Sequence, residues 1–381
     1  MQHSPLLDQE ISFDRIELNI IDIPLKSGFQ SGIGVRKTRK ALIIKWQDAD
    51  GRIGYGECSC RQDPYYSAEY LAGVVDMIQR FIVPNLKAHQ TYRDVWMLFR
   101  KIRGWNFAKA AVESAIFQVA RQESGYSLST DLQGARIQQV PVGISLGIYT
   151  DKGAIEEVVM ESIEAGYQRL KFKIAPFVDT RLFDHIRPLL DRHQVYTSFD
   201  ANGSYYAKDL DAFAYFVEAF DTVIEQPFSP SRFDVLLEAK KRFPQLKICF
   251  DEELKSIGNL MKLHKLGMLD EVNLKMGRVG GLINSLEILN YCHQEEIPCW
   301  IGGMFETGIG RWLNLELASF LPHARAHDLS PSLRYFVEDI IHPSVQMQHG
   351  YVDMTKREES QVLPELIQKY RIDHLIFDCK K

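Results

Sequence analysis

Six charged side chains recur along the middle of the chain at almost constant spacing. They are two lysines, three acids and a further lysine: Lys171, Lys173, Asp200, Glu225, Asp251 and Lys275. From Lys173 onward the intervals are 27, 25, 26 and 24 residues. A neutral lysine can act as a base, and carboxylates without histidine or cysteine partners favour a hard divalent cation such as Mg²⁺. The pattern therefore predicts a metal-and-lysine active site.

The spacing also predicts where these residues lie, because one strand, one helix and two loops take up about that much chain. Residues that end consecutive strands of a (β/α) barrel gather at one mouth, where barrel enzymes build their active sites. Lys173 would end strand 2 and Lys275 strand 6, on opposite sides of an eight-stranded barrel. A carboxylate substrate between them that loses its α-proton becomes an enediolate, whose extra charge a cation stabilises.

Several neighbouring positions leave assignments open. Glu252 follows Asp251 directly, so either could be the third metal ligand, and Asp251 is preferred because it immediately ends an apolar run. Asn202 could contact metal or substrate, or be a turn residue in Asp-Ala-Asn-Gly. Arg278 could bind an anion or pair with a surface acid. The glycine-rich segment 302–310 lacks the ending of a phosphate-binding loop, which favours a substrate-shaping loop.

Short apolar runs alternate with helical patterns from residue 139 onward, which indicates a parallel sheet closed into a barrel. The runs are 140–146, 169–174, 195–199, 222–224, 247–250, 271–274 and 298–301, with a weaker eighth at 324–329. In the first crossover, Asp151 is the predicted N-cap and Gly166 the predicted residue after the helix.

The segment before the barrel predicts an α+β domain. Its strand patterns are 11–23, 41–46 and 53–57, and its helical patterns are 71–82 with Ser67 as N-cap, 92–102 and 107–120. The predicted organisation is a capping domain at 1–130, a catalytic barrel at 131–335, and a C-terminal segment at 336–381 that packs back on the cap.

Composition narrows the class of partner. The formal net charge of −5 arises from 45 basic and 50 acidic residues without long single-sign blocks, which argues against nucleic acid or an anionic membrane as partner. The N-terminus has no apolar run typical of a signal peptide, and no uncharged apolar stretch is long enough to span a membrane. The six scattered cysteines predict buried or inert thiols. We expect a cytoplasmic protein that binds a small-molecule carboxylate.

Longer motifs surround the six charged residues. They are Gly56-Glu-Cys58, Pro64-Tyr-Tyr-Ser67, Leu170-Lys-Phe-Lys173, Phe199-Asp-Ala-Asn202, Ile224-Glu-Gln-Pro227, Phe250-Asp-Glu252, Asn273-Leu-Lys-Met-Gly-Arg-Val-Gly-Gly281, Gly302-Gly-Met304, Glu306-Thr-Gly-Ile-Gly-Arg311 and Asp328-Leu-Ser-Pro-Ser332. Together they resemble the muconate-lactonizing subgroup of the enolase superfamily, and within it the o-succinylbenzoate synthase/N-succinylamino acid racemase family. The resemblance covers nearly the whole chain and implies a modified TIM barrel, (β/α)7β, with an N-terminal α+β cap.

The resemblance also implies roles for individual residues. Lys173 would be the base and Lys275 the acid/base or cation on the opposite face, while Mg²⁺ would be held by Asp200, Glu225 and Asp251. Substrate contacts would come from Lys171, Asn202, Ser145, Met304 and Arg278. A mobile cap loop at Phe29 to Val35 would close the site, and identical subunits would assemble into a homo-oligomer.

The reaction implied by the resemblance is dehydration of 2-succinyl-6-hydroxy-2,4-cyclohexadiene-1-carboxylate to o-succinylbenzoate in menaquinone biosynthesis. Members that also racemise N-acylamino acids carry an arginine where Arg278 stands. Dipeptide epimerases are similar but carry Asp-X-Asp at strand 8, where Asp328 stands alone, and dehydratases of the mandelate racemase type need a histidine that 298–301 does not offer. Muconate cycloisomerase stays open, as does a non-catalytic barrel that binds a carboxylate.

Overall fold

The N-terminal segment, here called the cap (residues 4–130), combines strands and helices. The computed structural model describes residues 4–31, 34–132 and 134–379, and for residues 27–31 and 34–36 it describes only the backbone. The cap strands are β1 (Glu10–Ser12), β2 (Arg15–Ser31), β3 (Gly34–Gln47), β4 (Ile53–Cys58) and β5 (His89–Thr91). The cap helices are α1 (Leu71–Met77), α2 (Tyr92–Lys101) and α3 (Asn106–Ser124).

The cap sheet is an antiparallel meander in which β2 pairs with β3 and β3 with β4, as predicted. Alternation along β2 buries Ile16 and Leu18 in one core and Ile21 in another, because successive side chains of a strand point to opposite faces. Helix α3 packs closely on β4. A Cβ at Gly56 would lie 2.1 Å from the Ala111 carbonyl oxygen, so glycine is required for this close approach.

The barrel follows, with strands and helices in alternation. Its strands are β6 (Gln139–Pro141), β7 (Gly143–Leu146), β8 (Arg169–Lys173), β9 (Tyr196–Asp200), β10 (Val223–Glu225), β11 (Lys247–Phe250), β12 (Glu271–Leu274) and β13 (Cys299–Ile301). Its helices are α4 (Lys152–Glu164), α5 (Arg181–Arg192), α6 (Leu210–Ala219), α7 (Phe233–Arg242), α8 (Ile257–Lys265), α9 (Met276–Val279), α10 (Leu282–Gln294) and α11 (Gly308–Ala318).

Strands β7 to β13 lie side by side in chain order and pair in parallel, which confirms the predicted modified barrel. The first crossover is also as predicted. The Asp151 side chain accepts from the Ala154 amide at 2.9 Å to cap α4, and Gly166 follows the helix with φ +82°. Ile155 and Val159 of α4 are fully buried against the sheet.

The weaker eighth run is not a strand. Within 324–329, all of which the structure describes, His327 forms a single parallel bridge with Val142. The Asp328 amide donates to the carbonyl of Ile301 in β13, so the two edges of the sheet are nevertheless joined. Two side chains donate hydrogen bonds to backbone carbonyl groups of β7 at this edge. Ser330 donates to the carbonyl of Gly143, and Arg334 donates to the carbonyl of Ser145. Side-chain donors thus replace part of the expected ladder.

The C-terminal segment contacts both the barrel and the cap. Its elements are β14 (Ile341–His342), β15 (Tyr351–Asp353), β16 (Gln361–Val362), α12 (Pro364–Tyr370) and β17 (Arg371–Asp378). Strand β15 pairs with β6, so the predicted single run 140–146 is in fact two strands divided at Val142. Strand β17 pairs antiparallel with β2 and extends the cap sheet.

Two buried glutamates of the cap bind the N-termini of barrel helices. Glu57 accepts hydrogen bonds from the amides of Thr307 and Gly310 at the start of α11. Glu113 accepts from the amides of Leu282 and Ile283 at the start of α10. Burial raises the pKa of each carboxyl to about 7, against the opposing effect of these donors. The cap is therefore fixed to the barrel by buried polar contacts.

The remaining predictions about local structure have different outcomes. The predicted N-cap Ser67 is wrong: α1 begins at Leu71 after Tyr70, and the Ser67 hydroxyl donates to the Glu69 carbonyl instead. Five of the six cysteines, namely Cys58, Cys60, Cys249, Cys292 and Cys299, are buried thiols outside any disulfide, and Cys379 is partly exposed. The predicted mobile cap loop is Phe29–Val35. Its residues 32–33 and all of its side chains lie outside the described part of the chain.

No helix in the described ranges has the length and apolar character to cross a membrane.

Candidate active site

Strand β8 directs a column of three positive side chains into the barrel. Arg169, Lys171 and Lys173 alternate with apolar residues, so all three point to the same face. Exposure increases along the column: the Lys171 side chain is 4% exposed and the Lys173 side chain 36%. Lys173 therefore lies at the open end of the barrel, where a substrate can reach its amino group.

The last residue of β9, Asp200, and a residue just after the strand, Asn202, hold the Lys173 ammonium. Its Nζ donates to Asp200 Oδ2 at 2.7 Å and to Asn202 Oδ1. The Asn202 amide in turn donates to Asp200 Oδ1 at 3.0 Å, and Asn202 adopts φ +44°, a conformation that asparagine tolerates better than most residues. Asn202 is therefore both a turn residue and a direct partner of Lys173.

Glu225 ends β10 between two polar partners. Its Oε2 accepts from Lys171 Nζ at 2.5 Å, and its Oε1 accepts from Asn273 Nδ2 at 2.7 Å. Burial, followed by repulsion from Asp200, raises the pKa of Glu225 to about 7 although Lys171 opposes the shift. Repulsion from Asp251 acts in the same direction, so the three acids lie close enough to interact.

Asp251 follows β11, is fully buried, and contacts Lys275 and Arg278. Lys275 Nζ donates to its Oδ2 at 2.6 Å, and Arg278 Nε lies 3.0 Å from its Oδ1. Burial by itself would raise the pKa of Asp251, but Arg278 and Lys275 outweigh burial and hold that pKa below its usual range. The basic residues predicted at 275 and 278 thus converge on the predicted third acid.

Tyr66 of the cap joins this cluster and was not predicted as a site residue. Its hydroxyl accepts from Lys275 Nζ at 2.8 Å and from the Arg278 guanidinium, and it donates to Asp251 Oδ2 at 3.2 Å. The only sequence signal was its place in the motif Pro64-Tyr-Tyr-Ser67, because a loop residue 209 positions from Lys275 has no periodic relation to the barrel strands. Burial, followed by Asp251, raises the pKa of this phenol, so it stays protonated.

Asp328 lies at the position of the predicted eighth strand. Its side chain is largely buried in the barrel, next to Lys171. Its carboxylate accepts from Arg169, from Lys171 at 2.5 Å and from Ser145 Oγ at 3.1 Å. The Arg169 guanidinium also lies 3.9 Å from the centre of the Trp300 ring. Burial would raise the pKa of Asp328, but the two cations outweigh it and keep the group ionised. Both oxygens of the Asp328 carboxylate are therefore paired with cations of the protein, Oδ1 with Arg169 and Oδ2 with Lys171.

The other predicted substrate contacts lie at different depths. Ser145 is the penultimate residue of β7 and contacts Asp328, while Lys171 is held by Glu225 and Asp328 below Lys173. Met304 belongs to the loop after β13, and its amide donates to Glu306. Within this loop, a Cβ at Gly302 would come 2.8 Å from Lys275 Cγ, so glycine is needed for the loop to pass beside the lysine. Direct substrate contact by these residues stays a prediction.

The acids suit a divalent metal by their chemistry, although they are paired with lysines in this structure. Among the described residues, no group of three or more histidine, cysteine or acidic side chains is spaced to hold a metal ion. Glu252 Oε2 is nevertheless a buried oxygen that accepts no hydrogen bond within the described part of the chain, whereas Asp251 Oδ1 is ion-paired with Arg278 Nε at 3.0 Å. Carboxylates at the ends of three adjacent strands, with such an oxygen beside them, fit Mg²⁺ once the cationic side chains move aside. Glu252 remains an alternative third ligand.

Comparison with known proteins identifies the superfamily to which the fold belongs. The family model described as "Enolase C-terminal domain-like" matches residues 154–358. A solved structure of an enolase superfamily member from Listeria innocua has a TM-score of 0.88 and 28% sequence identity, and the alignment covers 97% of this chain and 100% of the other. The fold is that of an enolase superfamily enzyme.

Two curated relatives place the chain more narrowly. The o-succinylbenzoate synthase of Bacillus subtilis (strain 168) is 31% identical over 94% of this chain and 97% of its own length. The N-succinylamino acid racemase of an Amycolatopsis species is 33% identical over 87% of this chain and 89% of its own length. The chain belongs to the enolase superfamily and, within it, to the family that these two proteins represent.

Proposed function

We propose that the chain is a Mg²⁺-dependent o-succinylbenzoate synthase, with racemisation of N-succinylamino acids as a second activity of the same site. The observation that carries the proposal is that Lys173 on β8 and Lys275 after β12 both bind members of one carboxylate set. The names of the relatives agree with both reactions. The proposed product pathway is menaquinone biosynthesis and the proposed location is the cytoplasm.

Both reactions begin with removal of the proton α to a carboxylate. In the proposed mechanism Lys173 takes this proton, since it is the lysine with open access, and Asn202 orients its Nζ. Lys275 faces the substrate from the other side, where it stabilises the developing negative charge during dehydration or returns a proton during racemisation. The dehydration is completed when the hydroxyl group of the substrate takes up a proton and leaves as water.

Magnesium bound by Asp200, Glu225 and either Asp251 or Glu252 would supply electrostatic stabilisation of the substrate carboxylate. Repulsion among the acids disfavours their close approach when no metal cation is bound. In that state the lysines neutralise part of the negative charge of the acids. Displacement of Lys173 and Lys275 from the acids would free both amino groups for the substrate.

Racemisation is the favoured second activity because it needs acid and base groups on both faces of one carbon. Arg278 supports it, since its guanidinium lies against both Asp251 and Tyr66, the two partners of Lys275. Substitution at Arg278 would therefore alter the surroundings of Lys275 without touching Lys173.

The alternatives are less well supported. A dipeptide epimerase must bind the substrate's ammonium group, and Asp328 has no free charge for this purpose because Arg169 and Lys171 engage it. A muconate cycloisomerase would use the same lysines and acids. A non-catalytic carboxylate-binding barrel would not need lysines on strands four apart, so α-proton exchange with any small carboxylate separates it from an enzyme.

The test is an assay of the purified protein with the cyclohexadiene carboxylate and, separately, with N-succinyl-L-amino acids. Each assay is run with MgCl₂ and after metal removal with EDTA. We expect turnover of both substrates that depends on Mg²⁺ and is restored when MgCl₂ is added back. Failure to convert either substrate with Mg²⁺ present would remove the assignment to this pair of reactions.

The predicted organisation also remains a proposal: a cap at 1–130, a barrel at 131–335 and a C-terminal segment at 336–381. The pairing of β17 with β2 supports the return of the C-terminal segment to the cap. The proposed assembly is a homo-oligomer, which light scattering of the purified protein would test.

A further inference from the structure

Three lysine side chains contact the acids of the barrel mouth, and they differ in how far they can withdraw from them. Lys173 is 36% exposed and can turn toward solvent. Lys275 has a second partner, the Tyr66 hydroxyl, besides the carboxylate of Asp251. Lys171 is only 4% exposed, so its ammonium does not reach solvent. Because a buried ammonium without a carboxylate is strongly unfavourable, Lys171 needs a partner inside the barrel at all times.

Two carboxylates share the Lys171 ammonium equally. Glu225 Oε2 and Asp328 Oδ2 each lie 2.5 Å from Lys171 Nζ, and Asp200 Oδ2 lies 3.7 Å away. Glu225 and Asp200 belong to the proposed Mg²⁺ ligands, whereas Asp328 does not. A divalent cation on Glu225 would repel the adjacent ammonium. Asp328 is therefore the carboxylate that can keep Lys171 when the other two bind the metal.

The strand order gives this shift of the ammonium a direction. Asp328 lies two strand positions from β8 on one side, beyond β7, and Glu225 on β10 lies two positions away on the other side. Asp200 ends β9, on the same side as Glu225. Lys171 on β8 therefore stands between Asp328 and the proposed metal ligands. Movement of its Nζ toward Asp328 takes positive charge away from both of them.

The position of Asp328 is fixed by contacts on its other side. Its Oδ1 accepts from the Arg169 guanidinium, and its Oδ2 accepts from Ser145 Oγ at 3.1 Å. The Arg169 side chain is 2% exposed and lies 3.9 Å from the centre of the Trp300 ring. The same ring centre is 4.9 Å from Lys171 Nζ, so one aromatic face supports both cations. Since these contacts involve no proposed metal ligand, metal binding does not require them to change.

We infer that Asp328 is a positioning residue that retains the Lys171 ammonium and thereby leaves Glu225 and Asp200 open to the divalent cation. The inference rests on the proposed function, because it takes these two acids as Mg²⁺ ligands, and it gives a role to a carboxylate outside the ligand set. Without Asp328, the remaining ion-pair partners of Lys171 among the described residues are two proposed metal ligands. The buried ammonium would then compete with the metal for them.

The test is a double-mutant cycle on magnesium affinity, measured by titration calorimetry of the metal-free, full-length protein with MgCl₂. Asp328→Asn should weaken Mg²⁺ binding roughly tenfold, because loss of a residue that supports a metal site costs about 10- to 100-fold in affinity. Lys171→Gln should tighten binding, because it removes the competing charge. The double variant should match Lys171→Gln within about twofold, since Asp328 acts through Lys171.

Glu271→Gln is the matched control for Asp328→Asn. Glu271 lies two residues before Asn273 on β12, so it points to the same barrel interior, and it interacts electrostatically with Arg169 as Asp328 does. In the described part of the chain, however, the ion pairs of Lys171 do not include Glu271. Its substitution removes the same charge without releasing Lys171, so Mg²⁺ affinity should stay within about twofold of the wild type.

Unchanged affinity in Asp328→Asn would overturn the inference, and so would the same loss of affinity with and without Lys171. A comparable loss in Glu271→Gln would also overturn it. If Asp328→Asn does not fold, Lys171→Gln decides, and affinity no tighter than that of the wild type would overturn the inference. Turnover assays of the unaltered protein with MgCl₂ separate the two proposals. Turnover together with any of these results defeats the inference alone, whereas neither metal binding nor turnover defeats the proposed function as well.

Discussion

The hydroxyl group of Tyr66 lies 2.8 Å from Nζ of Lys275, so the cap supplies a direct partner to a lysine of the barrel. The same hydroxyl contacts Arg278 and Asp251. A single cap residue thereby connects every polar member of the cluster around Lys275. Correct placement of Lys275 consequently depends on how the cap sits on the barrel.

Replacement of Tyr66 by phenylalanine should slow both reactions, and racemisation most. The variant keeps the ring but leaves two cations without their shared acceptor, and a hydrogen bond to a charged group contributes about 1.5–3 kcal/mol. We expect kcat for racemisation to fall roughly 10- to 100-fold with a smaller change in KM. The adjacent Tyr65→Phe is the control, since Tyr65 is 70% exposed. Equal effects of the two substitutions would contradict a positioning role for Tyr66.

Removal of the proposed base should abolish both activities. Lys173→Ala removes the amino group that Asp200 and Asn202 orient, and general-base catalysis typically contributes 10²- to 10⁴-fold or more. We expect no measurable dehydration or racemisation and no α-proton exchange in D₂O. Lys152→Ala, an exposed lysine at the start of α4, should retain full activity. Retained exchange in Lys173→Ala would show that another group also acts as base.

Arg278→Gln should impair racemisation more than dehydration. Arg278 touches the partners of Lys275 but none of those of Lys173, so its loss perturbs the second lysine selectively. We expect kcat/KM for racemisation to fall roughly tenfold further than kcat/KM for dehydration, because only racemisation needs proton transfer on both faces. The measurement is a steady-state comparison of both reactions with one protein preparation. Parallel losses would count against this role.

The acids and lysines were predictable because their positions follow from one repeat. Each ends or follows a strand whose neighbours are recognisable, so the spacing alone places Lys173, Asp200 and Glu225 at one mouth. Tyr66 belongs to no repeat and comes from a loop of the cap. Asp328 was visible in the sequence, but its pairing with Arg169 and Lys171 depends on the bridge that closes the barrel. Contacts made by closure of a fold leave no periodic signal in the chain.

The same distinction explains the errors in the local predictions. Ser67 precedes an apolar helical pattern, as an N-cap does, but its hydroxyl donates to Glu69 and the helix begins four residues later. The run 324–329 resembles a strand, yet side chains of Ser330 and Arg334 take over hydrogen bonds that a strand would make. In the first case a local side-chain hydrogen bond competes with the predicted cap, and in the second case tertiary contacts replace part of the predicted strand pairing.

Magnesium should stabilise the folded protein, and two single substitutions should identify the third ligand. A cation that binds only the folded state adds about 2.7 kcal/mol to stability at one hundred times its Kd. Asp251→Asn and Glu252→Gln each remove one charge from neighbouring candidates. We expect Asp251→Asn to weaken Mg²⁺ binding at least roughly tenfold in titration calorimetry, and Glu252→Gln to weaken it less.

Glu253→Gln provides the control for this pair, because Glu253 is the next acid in the sequence and is only partly buried. Its substitution should leave both the magnesium affinity and the Mg²⁺-dependent rise in Tm unchanged. A larger loss of affinity in Glu252→Gln than in Asp251→Asn would transfer the third-ligand role to Glu252. Unchanged affinity in all three variants would remove the magnesium site from this end of β11.

Glu113 should make stability depend on pH between about 4.5 and 7. Burial raises its pKa in the folded protein to about 7, from an ordinary value of 4.5. Between these values the folded state retains a proton that the unfolded state has released, so stability falls as the pH rises. The shift corresponds to about 3 kcal/mol. Glu113→Gln keeps an acceptor for the amides of Leu282 and Ile283 but cannot titrate.

Thermal unfolding of the wild type and of Glu113→Gln from pH 4.5 to 7.5 measures this effect. The difference in stability should move in favour of the glutamine variant as the pH rises and should stop changing above about pH 7. Glu123→Gln, an exposed substitution on the same helix, should run parallel to the wild type at every pH. A pH-independent difference between wild type and Glu113→Gln would mean that Glu113 titrates alike in both states, and that its bonds to α10 offset its burial.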